Sequence, residues 1–167
     1  KWNLMDIINN KNLNKIKNWS KFLKIGLTNG CFDLLHKGHK HSLKYAKKYC
    51  DRLIVLINSD KSVKKIKGKL RPIQNQNLRK RNLLKNRNVD MVLIFNNTTP
   101  LQMIKQIKPY YLFKGADYKN KKIVGSNFVI KNGGRVKILS NIKGISTTNI
   151  INNIWSLSQE ERALLEA

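Results

Sequence analysis

The chain has 167 residues, 41% of them hydrophobic, which fits one domain with one core and excludes an intrinsically disordered polymer. Lys and Arg number 34 against 9 Asp and Glu, a formal net charge of +25 that selects anionic partners: phosphates, nucleic acid or an acidic membrane surface. No apolar run is long enough to span a bilayer, the first residues carry no apolar signal-peptide core, and Cys31 and Cys50 form neither a disulfide framework nor a CxxC site, so a cytoplasmic, reducing setting without membrane contact is expected.

In chain order, a helix is predicted across 7–22, followed by strands at 24–28, 52–58, 91–95, 110–113 and 136–139. Helical segments begin near Gly38, Gln76, Pro100 and Gly125, and another follows Thr147. Strands alternating with helices predict βαβ units, hence an α/β fold: a doubly wound, Rossmann-like, five-stranded parallel sheet covered on both faces. The segment 78–88 is a poorly written helix, with Leu78, Leu83 and Leu84 as a thin apolar stripe among Lys, Arg and Asn.

Three regions are expected: a helical lead-in at 1–21, the α/β domain at 22–155, and a terminal helix or added tail at 156–167. Glu160, Glu161 and Glu166 all fall in that last segment, where Ser158 and Glu161 make a capping box. The body before it is crowded with Lys and Asn, a bias that codon usage explains more readily than nucleic-acid binding. Lys1 at the position of an initiator Met suggests a longer parent chain.

Thr28, Asn29, Gly30, Cys31, Phe32 and Asp33 lead from the first strand to His36, Lys37, Gly38 and His39 at the start of a helix. An open α/β sheet binds ligands beyond the carboxyl ends of its strands, and a helix N-terminus offers free N–H groups and a positive dipole end to phosphate. Gly30 permits a tight turn or close backbone approach, and Gly38 keeps a side chain out of the helix start. His36 and His39 each bring a hydrogen-bond donor, and a nearby anion favours the protonated imidazole. The competing readings are ordinary turn residues or metal ligands, but no Cys or acidic cluster stands at zinc spacing. His41 is left to the surface or to helix packing.

The run from Thr28 to His39 resembles the HxGH signature of the nucleotidyltransferase superfamily. Asn58 to Asp60, Lys67 with Gly68, Arg71 with Pro72, Val89 with Asp90, Lys114 to Tyr118, Gly133 with Gly134 and Ser146 to Ile151 follow in order. Together they resemble the adenylyltransferase domain of bacterial bifunctional ADP-heptose synthases over about 22–155, most specifically at Lys114 to Tyr118 and Ser146 to Ile151. The resemblance implies ATP and D-glycero-β-D-manno-heptose 1-phosphate as substrates, Mg²⁺ as cofactor, a homodimer, and a sugar-kinase domain elsewhere in a longer chain. This chain departs from the family in the polar helix after Arg79, which bears on local packing more than on chemistry.

On this basis His36, His39, Lys67 and Arg71 are expected to be catalytic through contacts to phosphate. Thr28, Asn29, Gly30, Cys31, Phe32, Gly38, Lys114, Gly115, Asp117, Ser146, Thr147 and Thr148 are expected to bind nucleotide, and Asp33, Asp60 and Arg79 the second substrate. Asp33 has two readings, Mg²⁺ binding or orientation of the turn, and each Lys or Arg competes with an ordinary solvated cation. No metal-ligand set is assigned. A cytidylyltransferase acting on glycerol 3-phosphate shares HxGH and is the alternative enzyme. A basic nucleic-acid-binding protein without catalysis is the alternative from another class, supported by charge alone.

Overall fold

The computed structural model describes residues 8–139. The expected helix after Thr147, the segment 156–167, and Ser146, Thr147 and Thr148 lie outside the described residues. Five strands, β1 (Ile25–Gly30), β2 (Arg52–Asn58), β3 (Met91–Phe95), β4 (Tyr111–Gly115) and β5 (Arg135–Leu139), form one sheet in the order β3-β2-β1-β4-β5. All four pairings are parallel, with Thr28 aligned on Val55 and on Phe113. The chain first builds outward from β1 through β2 to β3, then returns to the other side of β1 with β4. The reversal leaves a crevice beyond the ends of β1 and β4, where such sheets hold ligands.

Helix α1 (Asn10–Ser20) precedes β1, and helices α2 (Lys37–Lys47), α3 (Asp60–Lys67), α4 (Gln76–Leu84), α5 (Leu101–Ile107) and α6 (Ser126–Lys131) connect the strands. Every residue of β2 after Arg52 is buried, because both faces of the sheet are covered. Ile54 and Leu56 meet Ile16, Met103, Ile104, Ile107 and Val129 from α1, α5 and α6 on one face. Leu53, Val55 and Ile57 meet Leu43, Ala46 and Leu83 from α2 and α4 on the other. Ile8 and Ile16, in the expected lead-in, bury their side chains in the core formed with the sheet. Truncating one such buried Ile or Leu to Ala typically costs about 2–5 kcal/mol. The backbone at Gly26 approaches its neighbours so closely that a Cβ would sit 2.6 Å from both Cys50 Sγ and Phe113 Cε2, so only glycine fits there.

β2 and β3 coincide with the predicted strands, whereas β1 and β4 each run two residues further. The extra residues Asn29, Gly30, Lys114 and Gly115 lack an apolar signature, and it is pairing within the sheet that holds them extended. Helix α3 was not predicted: Lys61, Lys64, Lys65 and Lys67 mask its short apolar stripe, although Ser59 caps it by accepting from the Ser62 amide. Helix α4 holds by few apolar contacts, as its sequence suggested. Leu83 is buried, Leu84 is exposed, and Asn75 caps the N-terminus by accepting from the Leu78 amide. No helix among the described residues is long and apolar enough to cross a membrane.

Candidate active site

Helix α2 begins at the end of the β1 turn with an unusual cap. His36 is the N-cap, and its Nδ1 accepts from the His39 amide at 3.4 Å, while His39 Nδ1 accepts from the His36 amide at 3.5 Å. Two imidazoles thus perform the reciprocal capping that Ser and Glu perform elsewhere. Their rings stack at 3.8 Å between centroids, and Phe32 tilts onto His39 at 5.0 Å. Because each Nδ1 accepts a backbone hydrogen bond, the neutral ring carries its proton on Nε2. The spacing His-x-x-His therefore serves two ends at once: Nδ1 closes the helix start and Nε2–H remains the ring's donor.

Burial lowers the His36 pKa below its ordinary value. It lowers His39 to about 4, assisted by the neighbouring His36 and opposed by the Leu34 carbonyl. Both rings are therefore neutral at pH 7 without ligand, and an incoming phosphate raises their proton affinity. A consequence for stability follows. Between about 4 and 6.5 the unfolded chain protonates His39 and the folded chain does not, so stability falls as pH drops through that window. Urea unfolding at pH 7 and pH 5 is expected to show a larger loss for the wild type than for His39→Asn; equal losses would contradict the assignment.

Asp33 is almost fully enclosed, at 1% exposure. Its carboxylate accepts from Arg71 Nε at 2.6 Å and from the Ile73 and Gln74 amides at 3.0 and 2.9 Å. Of its two sequence readings, the structure places it as the group that orients the turn, tying the segment after α3 to the β1 turn. Arg71 is held through Nε alone, and its Nη groups have no hydrogen-bond partner among the described residues. Lys67 is exposed as the last residue of α3, before Gly68 with its φ of 100°.

Arg79 is wholly buried and acts as a hub. Nε donates to the Gln74 carbonyl at 3.0 Å, Nη1 to the Cys31 carbonyl at 2.6 Å and Nη2 to Asp60 Oδ1 at 2.8 Å. Expected at the substrate, Arg79 and Asp60 instead spend these contacts joining α4, α3 and the β1 turn. Burial pushes the Cys31 thiol up, against the pull of Lys67, Arg79 and Arg71, so it stays protonated and offers no nucleophile at neutral pH.

Across the crevice, Thr28, Asn29 and Gly30 end β1, and Lys114 and Gly115 end β4. Lys114 Nζ donates to Asn29 Oδ1. Lys114, one residue beyond the predicted strand 110–113, is a buried strand residue; Asp117 is exposed in the single turn Ala116–Tyr118 that follows. The structure thus brings together His36, His39, Gly38, Cys31 and Phe32 at one helix start, and Asn29 and Lys114 at the paired strand ends.

A separate groove of about 670 Å³ runs between α2 and α4, lined by Lys40, His41, Lys44, Lys85 and Arg87 and by no Asp or Glu. His41, expected at the surface or in helix packing, faces this groove. Its cations form no ion pair among the described residues, so they are a solvated face that any polyanion can visit. Duplex DNA is expected to bind weakly, without sequence preference, and to dissociate steeply as salt rises. A filter-binding titration showing tight, sequence-selective retention at physiological salt would reverse this.

The sequence profile of the cytidylyltransferase-like family matches residues 27–153. The bifunctional protein HldE of Caulobacter vibrioides is 47% identical over 137 residues, 81% of this chain and 28% of that protein. HldE of Rhodopseudomonas palustris strain BisA53 is 47% identical over 128 residues, 77% of this chain and 26% of its own length. The chain therefore spans between a quarter and a third of the curated relatives it matches. Among solved structures, the lipopolysaccharide core biosynthesis protein of Thermoplasma volcanium superposes with a TM-score of 0.58 at 29% identity, covering 74% of this chain and 99% of that one. Pantothenate synthetase of Thermus thermophilus superposes with a TM-score of 0.54 at 15% identity, over 89% of this chain and 68% of its own, a likeness of fold alone.

Proposed function

We propose, since the chain belongs to the cytidylyltransferase-like family, that it transfers AMP from ATP to D-glycero-β-D-manno-heptose 1-phosphate, giving ADP-heptose and pyrophosphate. The observation that carries this reading is the doubly imidazole-capped start of α2 at the sheet's reversal point, in a chain 47% identical to part of HldE. That arrangement suits phosphate and offers no covalent nucleophile.

The sugar phosphate is already an anionic nucleophile at neutral pH, so the reaction needs little general base. Its oxygen attacks the α-phosphorus of ATP, a new P–O bond forms, and the bond to the bridging oxygen of the β-phosphate breaks. Negative charge grows on the α-phosphoryl oxygens and on the leaving pyrophosphate. Catalysis is then positioning and charge stabilisation. His36 and His39 supply Nε2–H donors and, once the anion raises their proton affinity, positive charge. Backbone N–H groups near Cys31 and Phe32 and the bare start of α2 at Gly38 receive phosphate oxygens. Arg71, aimed by Asp33 through Nε, keeps its Nη groups for phosphate, and exposed Lys67 adds a second cation from the end of α3. Thr28, Asn29, Gly30, Gly115 and Asp117 surround the nucleotide from the β1 and β4 ends. Ser146, Thr147 and Thr148 are assigned to the β- and γ-phosphates through the family resemblance.

The described residues contain no group of three or more His, Cys, Asp or Glu that holds a metal, and the Asp33 carboxylate already accepts three hydrogen bonds. The described residues therefore present no protein cage for Mg²⁺. We take MgATP as the substrate form, the ion remaining on the phosphates with most of its waters.

Phosphorus NMR of the chain with MgATP and heptose 1-phosphate tests the reading. Coupled diphosphate signals of a nucleotide sugar should grow together with free pyrophosphate. Release of ADP or orthophosphate in their place would mark a phosphotransferase or hydrolase.

A further inference from the structure

Among the described residues, three charged side chains are buried: Asp33, Arg79 and Lys114. The first two have ionic partners, Arg71 for Asp33 and Asp60 for Arg79. Lys114 has none. It is 5% exposed, donates to the neutral amide of Asn29, and lies 4.8 Å from the centre of the Tyr118 ring. From β5, Ile138 pairs beside it in register; from the following turn, Asp117 is the charged group whose field reaches it. Removing an ammonium from water without a carboxylate is costly, and proteins rarely leave one so. An ammonium also has three N–H donors, and one is used among the described residues. The position is not peripheral: Asn29 and Lys114 follow the aligned pair Thr28 and Phe113, so they stand side by side at the mouth of the crevice.

We infer that Lys114 is the cation that receives a substrate phosphate at the β1–β4 crevice, and that phosphate binding there is accompanied by proton uptake from solvent onto its amine. This rests on the proposed nucleotidyl transfer and adds to it a named phosphate ligand and a pH dependence. The proton balance is simple. Burial lowers the free Lys114 to about 8, with Asp117 opposing weakly, so part of the population is neutral in mildly alkaline solution. A phosphate dianion beside Nζ restores the ordinary proton affinity, and the neutral fraction takes up a proton. At pH 8.5 a substantial share of the free amine is neutral, so binding is expected to take up a measurable fraction of a proton per site. The phosphates of the ligands are themselves fully ionised at that pH and contribute little.

Isothermal titration at pH 8.5 in two buffers of different ionisation enthalpy measures this uptake directly. The probes are α,β-methylene-ATP with Mg²⁺, which resists cleavage at the transfer bond, and heptose 1-phosphate, titrated separately into the 167-residue chain. Wild type should take up protons with at least one of them, and that ligand identifies whose phosphate Lys114 meets. Lys114→Arg should still bind that ligand with the Lys114 share of the uptake lost, because arginine does not deprotonate, leaving only what His36 and His39 take up. Lys114→Met should bind it at least tenfold more weakly, while melting at the wild-type temperature or above, since it removes an uncompensated buried charge. Uptake undiminished from wild type in Lys114→Arg, wild-type affinity in Lys114→Met, or loss of folding in Lys114→Met would each overturn the inference. Wild-type binding without uptake overturns the inference and leaves the proposed function standing. Failure of the wild type to bind either ligand overturns both.

Discussion

His36→Ala and His39→Ala are expected to lower turnover with MgATP and heptose 1-phosphate by a factor corresponding to about 2–4 kcal/mol each, the usual cost of losing one preorganised donor to developing charge. Each Nε2–H is positioned by the ring's own Nδ1, which the helix cap holds. The two losses should not add, because removing either ring frees the other from its reciprocal hydrogen bond and its stacking partner. A lost N-cap also costs about 1 kcal/mol of stability. Asn variants control for that, since Asn caps well but cannot carry the charge. His36→Asn and His39→Asn should retain most of the stability and little of the activity, measured by urea unfolding and pyrophosphate release. Near-normal turnover in a folded double Ala variant would remove the imidazoles from the mechanism.

The largest effect on stability is expected at Arg79. Arg79→Leu removes the buried guanidinium, leaves empty the space it filled, orphans the carbonyls of Gln74 and Cys31 and takes from Asp60 its ionic partner. Each buried unsatisfied acceptor costs about 1–3 kcal/mol. Asp60 is 34% exposed, so water recovers part of its share. A net loss of about 2–4 kcal/mol is expected, visible as a lower urea midpoint. Arg79→Lys should recover only a fraction, since an ammonium cannot reach three acceptors spread around a planar fork. The same experiment separates the two roles available to Arg79 from sequence. A residue that only binds substrate would raise KM and leave the urea midpoint unchanged; the structural hub predicts the reverse emphasis.

Sequence pattern located β2 and β3 to the residue because they are apolar runs buried on both faces, which local composition reports directly. The ends of β1 and β4 escaped because Asn29, Gly30, Lys114 and Gly115 owe their extended conformation to pairing partners far along the chain. The HxGH segment was legible as a candidate phosphate site, since turn, glycines and helix start are contiguous. Its inner logic was not. That His36 and His39 cap each other depends on ring rotamers, and that Asp33 aims Arg71 depends on a contact between residues 38 apart. Arg79 looked like one cation among many on a polar helix. Its burial follows from α4 lying against β2 and β3 with Leu83 beneath it, and the polar stripe that weakened the helix prediction contains the group that anchors the helix. Helix α3 could have been found from Ser59 as a cap with Val63 and Ile66 at helical spacing, had its four lysines not dominated the pattern.

Specificity is the property on which the central claim is most exposed. Buried polar contacts of the kind proposed for the β1 and β4 ends discriminate strongly between bases and acceptors, because the wrong partner leaves donors and acceptors unpaired. The decisive measurement is kcat/KM for pyrophosphate release with ATP and heptose 1-phosphate against CTP and glycerol 3-phosphate, on the same folded preparation. The account predicts a preference for the first pair of at least roughly a hundredfold; a preference for CTP with glycerol 3-phosphate would contradict it.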